Sequence, residues 1–239
     1  MEDLERYADY NEYEDDIPKS KSKVLLFLKI MIATVCIGVV SFFAFRIVMF
    51  NYYPDSIENI YFTDELSAYY EATDGDIGAK TQSLRAPYDN EKSATFFADN
   101  LIIVDGIGEL QVSVRYLKTL RSEMEALHGV EIGESEDSFT FMLTKNNSNY
   151  DKNMPVSEEN PIHIPVPARV TLVTDSSLTY EYVKVIFDGV DFEGVAWLSL
   201  AIYVNGSTAD VEPYRIAIYE NNEDHSSFDD YELSREETP

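Results

Sequence analysis

The carboxylates of two short glycine-containing stretches are the side chains of this sequence best suited to chemistry. Asp74 and Asp76 flank a glycine. The run DGVDFEG contributes Asp188, Asp191 and Glu193. Calcium takes several oxygen ligands, and loops between strands often supply them. These five residues are therefore our candidate calcium ligands, although neither stretch has EF-hand spacing.

The second stretch also has a structural interpretation. Gly189 and Gly194 permit tight turns between two strands. The side chains at 190, 192, 195 and 197 alternate toward an interior, which makes Trp197 the expected central core residue. A solvated acidic loop is the commoner explanation of such a run.

No residue type stands in a catalytic motif. His128, His163 and His225 match no nucleophile-and-base pattern, and Gly106-Ile-Gly108 lacks the third glycine of a dinucleotide fingerprint. Zinc would need cysteines or a histidine pair at ligand spacing. We therefore assign no catalytic residue and no cofactor and expect no enzyme. A glycan hydrolase stays the alternative, since its carboxylate pair is defined by distance in space.

The charge balance excludes one class of partner. The formal charge is −26, and 36 acidic against 12 basic residues follow residue 50. Such a surface repels nucleic-acid phosphates. The single cysteine, Cys36, lies in an apolar segment, so the rest of the chain has no internal disulfide. A composition 45% hydrophobic still supplies a packed core.

Residues 24–50 are predicted to form a transmembrane helix. Their apolar centre, Ile30 to Phe45, is bounded by Lys29 and Arg46, whose charges can reach the headgroups. Lysines at 19, 21 and 23 precede it, so the acidic tail 1–23 is expected in the cytoplasm and the remainder outside. Bulky residues occupy the site that a signal peptidase would need, and Val35 before Cys36 departs from a lipobox. An uncleaved signal anchor is therefore favoured over a signal peptide or lipoprotein.

Period-two alternation predicts a mainly β domain over 93–220. The stretch ELQVSVRY places Leu110, Val112 and Val114 on a buried face and Gln111 and Ser113 on a solvent face. About seven such strands separated by turns are typical of an antiparallel sandwich. The predicted strands are 93–104, 109–116, 139–143, 168–174, 181–187, 197–204 and 214–219. Apolar residues at helical spacing predict one short inserted helix over 118–128, ended by Gly129.

Two segments flank this domain. Residues 51–92 form a membrane-proximal extension, expected to be a helix followed by a loop, with Thr63 as a partial capping signal. Residues 221–239 form an acidic tail without periodicity. The N-terminal tail carries Tyr7, Tyr10 and Tyr13, which suit either a cytoplasmic partner or a solvated tail without fixed structure.

The anchor, GELQVSVRY and FDGVDFEGVAWLSLAIY together resemble a group of uncharacterised membrane-anchored proteins of Firmicutes, including Clostridia. The similarity covers residues 24 to about 220. It implies a bacterial cell-surface location and an immunoglobulin-like β-sandwich, and it implies no catalytic residue.

The expected function is a surface-anchored binding or assembly module that contacts an envelope protein or a cell-wall component. The main alternative is a sensor or accessory subunit that signals through the helix to the tyrosine-rich tail.

Overall fold

The computed structural model describes residues 19–87, 95–193, 195, 197–220 and 228–233. The chain divides into two compact units, Met1–Asn51 and Tyr52–Pro239. The predictions for the acidic N-terminal tail, and for most of the C-terminal tail, lie outside the described residues.

The described part of the first unit is one long helix, α1, Lys19–Asn51. Its stretch Lys23–Val48 is 26 residues long, has a mean hydropathy of 2.5 and is not buried against protein. At 1.5 Å per residue this stretch is long and apolar enough to cross a membrane. The predicted direction of crossing stays a prediction.

The described residues of the second unit form ten strands and four short α-helices, with 3₁₀ turns at Asp105–Ile107 and Lys118–Leu120. The helices are α2 Asp55–Glu58, α3 Asp64–Ala72, α4 Arg121–His128 and α5 Ser135–Ser138. The strands are β1 Lys80–Pro87, β2 Phe96–Val104, β3 Glu109–Leu117, β4 Phe139–Asn146, β5 His163–Pro165, β6 Arg169–Ser176, β7 Tyr180–Asp188, β8 Trp197–Val204, β9 Tyr214–Glu220 and β10 Asp229–Asp230.

Two antiparallel sheets confirm the predicted mainly β fold. The larger sheet has the order β10-β1-β2-β3-β7-β6, and the smaller has the order β5-β4-β8-β9. If β2, β3, β4, β6, β7, β8 and β9 are lettered A to G, the sheets contain the sets ABED and CFG. This is the strand order of an immunoglobulin-like sandwich, here extended by β1, β5 and β10.

The interior between the sheets is apolar and includes an aromatic cluster. The rings of Phe96 and Tyr116 from the larger sheet and Phe139 from the smaller sheet lie 5.3 to 5.5 Å apart between centroids. All three residues are buried. Aromatic packing of this kind stabilises the contact between the two sheets by more than the buried area alone would.

The outer face of the larger sheet is also covered, which the period-two pattern did not predict. Residues 52–63, which we call the strap, cross β3 and β7 on that face. Gln111 and Ser113 are 1% and 2% exposed, and Lys184 is fully buried. The prediction of a solvent face for β3 was therefore wrong, because the chain itself supplies the cover.

The outer face holds the strap by its main chain. Gln111 accepts a hydrogen bond from Tyr61 N and donates one to Tyr61 O, at 2.8 and 2.7 Å. Ser113 Oγ donates to Ile57 O at 2.6 Å, and Lys184 Nζ donates to Asn59 O. Because buried main-chain groups must be paired, these polar side chains take the place of a neighbouring strand.

Apolar contacts complete the attachment. Ile57 in α2 and Leu66 in α3 are fully buried, and Leu66 packs with Ile102 and Val104 of β2 in a second, smaller core. Tyr231 beside β10 accepts a hydrogen bond from Ile60 N at 3.0 Å. The strap is thus held by one sheet face and by the C-terminal segment together.

Trp197 is not the core residue that the alternation predicted. Its side chain is 40% exposed, whereas Leu198 and Leu200 are fully buried. Val190 and Val195 are buried as expected, but they belong to a loop and not to β8. The alternation of β8 starts afresh at Trp197, and the inward face begins with Leu198.

The larger sheet also takes in residues outside the predicted range 93–220. β1 lies in the predicted extension and β10 in the predicted tail, and the two pair at Lys80↔Asp230. The inserted helix is α4, which ends at Gly129 with φ +68°, as the sequence indicated. The expected helix of the extension is divided into α2 and α3, and Thr63 caps α3 by accepting a bond from Leu66 N at 3.0 Å.

The pairing of the strap predicts that Gln111→Leu lowers the free energy of unfolding by about 2–4 kcal/mol. The substitution leaves the partly buried Tyr61 N–H and C=O, and the buried Glu109 Oε1, without the partner that Gln111 supplied. The measurement is chemical denaturation of the full-length protein in detergent micelles, followed by its single tryptophan. Gln82→Leu in β1 is the control, with a change of about 0.5 kcal/mol or less. Equal losses in the two variants would contradict a specific role for Gln111.

Candidate functional site

The structure places the first pair of candidate calcium ligands in the turn that follows α3. Asp74 and Asp76 are exposed. Asp76 Oδ1 accepts a hydrogen bond from Gly78 N at 3.2 Å, and Asp74 has φ +53°. Aspartate is favoured in such turns for its local hydrogen bonding and its tolerance of positive φ. The turn conformation therefore explains why aspartate occupies these two positions.

The second group of candidate calcium ligands is divided between strand β7 and the loop that follows it. Asp188 is the last residue of β7 and is 8% exposed, whereas Asp191 and Glu193 are exposed in the following loop. Asp191 Oδ1 accepts a hydrogen bond from Glu193 N at 2.9 Å. Across the part of the chain that the structure describes, no three His, Cys, Asp or Glu side chains form a group that could hold a metal ion. Calcium binding stays a prediction.

Asp188 lies instead beside Glu109, a residue that sequence reasoning did not select. The register Leu110↔Phe187 brings the start of β3 against the end of β7, and Arg169 of β6 is paired with Asp188 on the other side. Two carboxyl groups that are 79 residues apart in the chain thus become neighbours on the covered face. Only strand pairing could have revealed them, because neither belongs to a motif.

Glu109 is almost fully buried and is held by two donors. Its Oε2 accepts from Thr63 Oγ1 at 2.7 Å and its Oε1 accepts from Gln111 Nε2 at 2.6 Å. Burial raises the pKa of Glu109 to about 7, and the neighbouring Asp188 carboxylate also raises it, against the lowering effect of the two donors. Near neutral pH the Glu109 carboxyl group therefore gains or loses a proton.

Asp188 borders an open cavity of about 540 Å³ between α3 and the ends of β6 and β7. Arg169 Nη2 and Glu65 Oε1 form an ion pair of 2.6 Å, and both side chains are largely exposed. Asp188 contributes to the lining, and its Oδ1 is buried without a hydrogen-bond partner among the described residues. The other lining residues are Ala68, Tyr69, Ile107 and Gly189.

A second candidate surface lies on the smaller sheet, in the long loop between β4 and β5. Asn160 is 4% exposed, and its Nδ2 donates to the carbonyls of Asp151, Met154 and Pro155 at 3.0 to 3.4 Å. Its Oδ1 accepts from Asp151 N at 2.9 Å. One buried amide thus holds the main chain of the loop at Asp151, Met154 and Pro155.

This loop displays aliphatic side chains to solvent. Met154, Val156 and Ile162 are 50%, 60% and 41% exposed. We call these three residues the loop surface. Val156 and Ile162 also line a cavity of about 590 Å³, together with His163 and Pro213.

His128 is buried, and its hydrogen bonds hold two elements of the fold together. His128 at the end of α4 lies 3.0 Å from Ser207 Oγ and 3.1 Å from Tyr214 OH through its two ring nitrogens. These bonds tie the end of α4 to the start of β9.

The strand order defines the class of this domain, an immunoglobulin-like sandwich carried after a long apolar helix. No family model, no curated protein and no solved structure matches the chain.

The raised pKa of Glu109 predicts a pH-dependent stability. The folded chain keeps this proton up to about pH 7, whereas the unfolded chain loses it near 4.5. The contribution is therefore fully present below pH 4.5 and is lost as the pH rises through 7, by about 3 kcal/mol. We expect Glu109→Gln to remove this loss and to be the more stable protein at pH 8.

The measurement is the free energy of unfolding at pH 5 and pH 8 for the full-length protein in micelles. Burial raises the pKa of Asp99 as well, but that residue is unchanged in the variant, so the difference isolates Glu109. The exposed Glu123→Gln is the control and should keep the wild-type pH dependence. If Glu109→Gln also keeps it, the assignment to Glu109 is wrong.

Proposed function

We propose that the protein is a membrane-anchored extracytoplasmic binding or assembly module whose loop surface engages a second protein of the same envelope. The observation that carries this proposal is the exposure of Met154, Val156 and Ile162 on a loop whose main chain is hydrogen-bonded to buried Asn160. In this proposal α1 crosses the membrane, with the acidic tail in the cytoplasm. The bacterial cell surface follows from the resemblance to the Firmicutes group.

The energetics favour binding at this surface. An aliphatic side chain gains about 1.5–3 kcal/mol when it is moved from full exposure to full burial. Because Asn160 already fixes the loop, a partner does not have to order it on binding.

The chemistry of the loop surface favours a protein over the other partners. Methionine is enriched at the cores of protein interfaces, where charged residues are depleted. Glycan recognition would call for more polar hydrogen-bonding groups than three aliphatic side chains provide. Nucleic acid is disfavoured by the excess of 36 acidic over 12 basic residues after residue 50.

Site-specific photo-cross-linking tests the proposal. We expect a photoreactive benzoylphenylalanine at position 156, in the full-length protein in its own host, to give one discrete adduct of higher mass. The matched control is the same residue at Leu178, which is 70% exposed in the hairpin between β6 and β7. The adduct should also disappear when Met154 and Ile162 are replaced by serine. Equal adducts at both positions, or none, would overturn the assignment of this surface.

A specific observation also supports the alternative of a sensor or accessory subunit. Tyr52 directly follows the last residue of α1, and its carbonyl already accepts a hydrogen bond of 2.6 Å from Tyr182 OH in β7. This bond ties the first residue of the second unit to β7. In this alternative, a change in the domain would be passed through α1 to the tyrosine-rich tail.

Deletion of residues 2–16 tests the sensor alternative. If the tail binds a cytoplasmic partner, membrane complexes purified with the full-length protein should contain a component that is missing from the deletion variant. The control replaces the same residues by a Gly/Ser segment of equal length. Identical complexes from all three proteins would exclude signalling through the tail.

A further inference from the structure

Arg215 of β9 has no carboxylate partner among the described residues, although it belongs to a strongly acidic unit. The arginines at 115, 121 and 169 each form an ion pair with a carboxylate, at 2.6 to 3.3 Å. Arg215 is partly buried and forms no such pair within the part of the chain that the structure describes. A partly desolvated guanidinium group with unused donors offers a place for a carboxylate from outside.

The side chain of Arg215 lies across the outer face of the smaller sheet. Ile216 and Leu200 face the core, so Arg215 and its register partner Ala201 face outward. Arg215 Nη1 donates to Thr144 Oγ1 on β4 at 3.5 Å, which is a long hydrogen bond. Because the side chain of Ala201 is a single methyl group, the guanidinium group has room to lie over β8. Four of its five N–H groups are left for another acceptor in the described structure.

Arg215 also lines the cavity of about 590 Å³ between the β4–β5 loop and the start of β9. The apolar side chains on its wall include Val156, Pro161, Ile162 and Pro213. Sites for small ligands typically have a volume of about 300–1,000 Å³ and combine an apolar wall with a few polar groups. This cavity therefore suits a ligand that is mostly apolar and carries one charge.

The other titratable groups of the cavity leave Arg215 as its cation. Burial and the neighbouring Arg215 lower the pKa of His163, against the raising effect of Glu212, so the imidazole is uncharged at neutral pH. Glu212 is exposed and does not form an ion pair with Arg215. One cation with a carboxylate nearby favours a singly charged anion over a phosphate, whose two charges would be repelled by Glu212.

We propose that this cavity binds a carboxylate attached to an apolar group, with the carboxylate on the Arg215 guanidinium and the apolar group against Val156, Ile162 and Pro213. A guanidinium group presents parallel N–H donors that match the two oxygens of a carboxylate. The apolar wall gains from burial of the rest of the ligand. The proposal does not depend on the loop surface as a protein-binding site.

The test is calorimetric titration of the full-length protein, in micelles of an uncharged detergent, with N-acetyl-leucine. Two matched probes each lack one feature: N-acetyl-leucine amide has no charge, and N-acetyl-glycine has no apolar side chain. We expect saturable binding of N-acetyl-leucine and binding about tenfold or more weaker for each of the other two. Absence of N-acetyl-leucine binding, or equal binding of either matched probe, would overturn the proposal.

Variants locate the site. Arg215→Gln should weaken N-acetyl-leucine binding about tenfold or more, whereas Arg121→Gln, outside the cavity, should leave it unchanged. Ser157→Phe places a ring on the cavity wall without a change of charge and should also weaken binding. Its control is Ser148→Phe, at an exposed position of the same loop that does not line the cavity. Unchanged binding in both cavity variants, or equal loss in the two controls, would overturn the location.

The cavity shares Val156 and Ile162 with the loop surface, but different measurements test the two proposals. Probe binding without an adduct at position 156 would overturn the loop surface alone, and an adduct without probe binding would overturn the cavity alone. When both are found, the adduct in Arg215→Gln identifies the source of the carboxylate. Loss of the adduct assigns it to the partner chain, and an unchanged adduct assigns it to a free carboxylic acid.

Discussion

The covering of both faces of one strand is the constraint on which the rest of this domain depends. β3 lies between the sandwich core and the strap, and it carries apolar side chains on one face and Gln111 and Ser113 on the other. Polar groups in such a position are stable only when each has a partner. The strap provides those partners through its main chain, so the outer face of the sheet needs this particular segment in this register.

Because of this constraint, the domain includes more of the chain than the predicted range 93–220. A sandwich cut at residue 93 would leave Ser113, Gln111 and Lys184 facing solvent or an apolar void, and it would lose β1. The C-terminal segment belongs to the same arrangement, because Tyr231 N donates to Ala79 O at 2.8 Å while its hydroxyl meets the strap. Segments from both ends of the second unit therefore cover the outer face of the larger sheet, and residues 52–87 are structural parts of the sandwich.

The sequence predicted the sandwich well because its strands alternate against an apolar core. Seven of the ten strands were expected near their observed bounds. β1 was missed because KTQSLRAP has little apolar content to mark a face, and β5 because it has only three residues beside prolines. Trp197 was wrongly predicted to be a core residue because the alternation of the preceding loop was extended into β8. The Glu109 and Asp188 pair could not be found, since it depends on strand pairing and on a cover supplied by residues about 50 positions away.

Thr63 joins the carboxyl pair to the strap. Its hydroxyl accepts the capping bond from Leu66 N and donates to Glu109 Oε2, so one oxygen atom serves both the start of α3 and the buried acid. A hydrogen bond to an ionised carboxylate is stronger than one to a neutral acid. The charge on Glu109 therefore acts directly on the residue where the strap meets α3, and α3 supplies Glu65 and Ala68 to the cavity. At the other end of the strap, the Tyr52 carbonyl accepts a bond from Tyr182 OH, so the strap is held at both of its ends by side chains of the larger sheet.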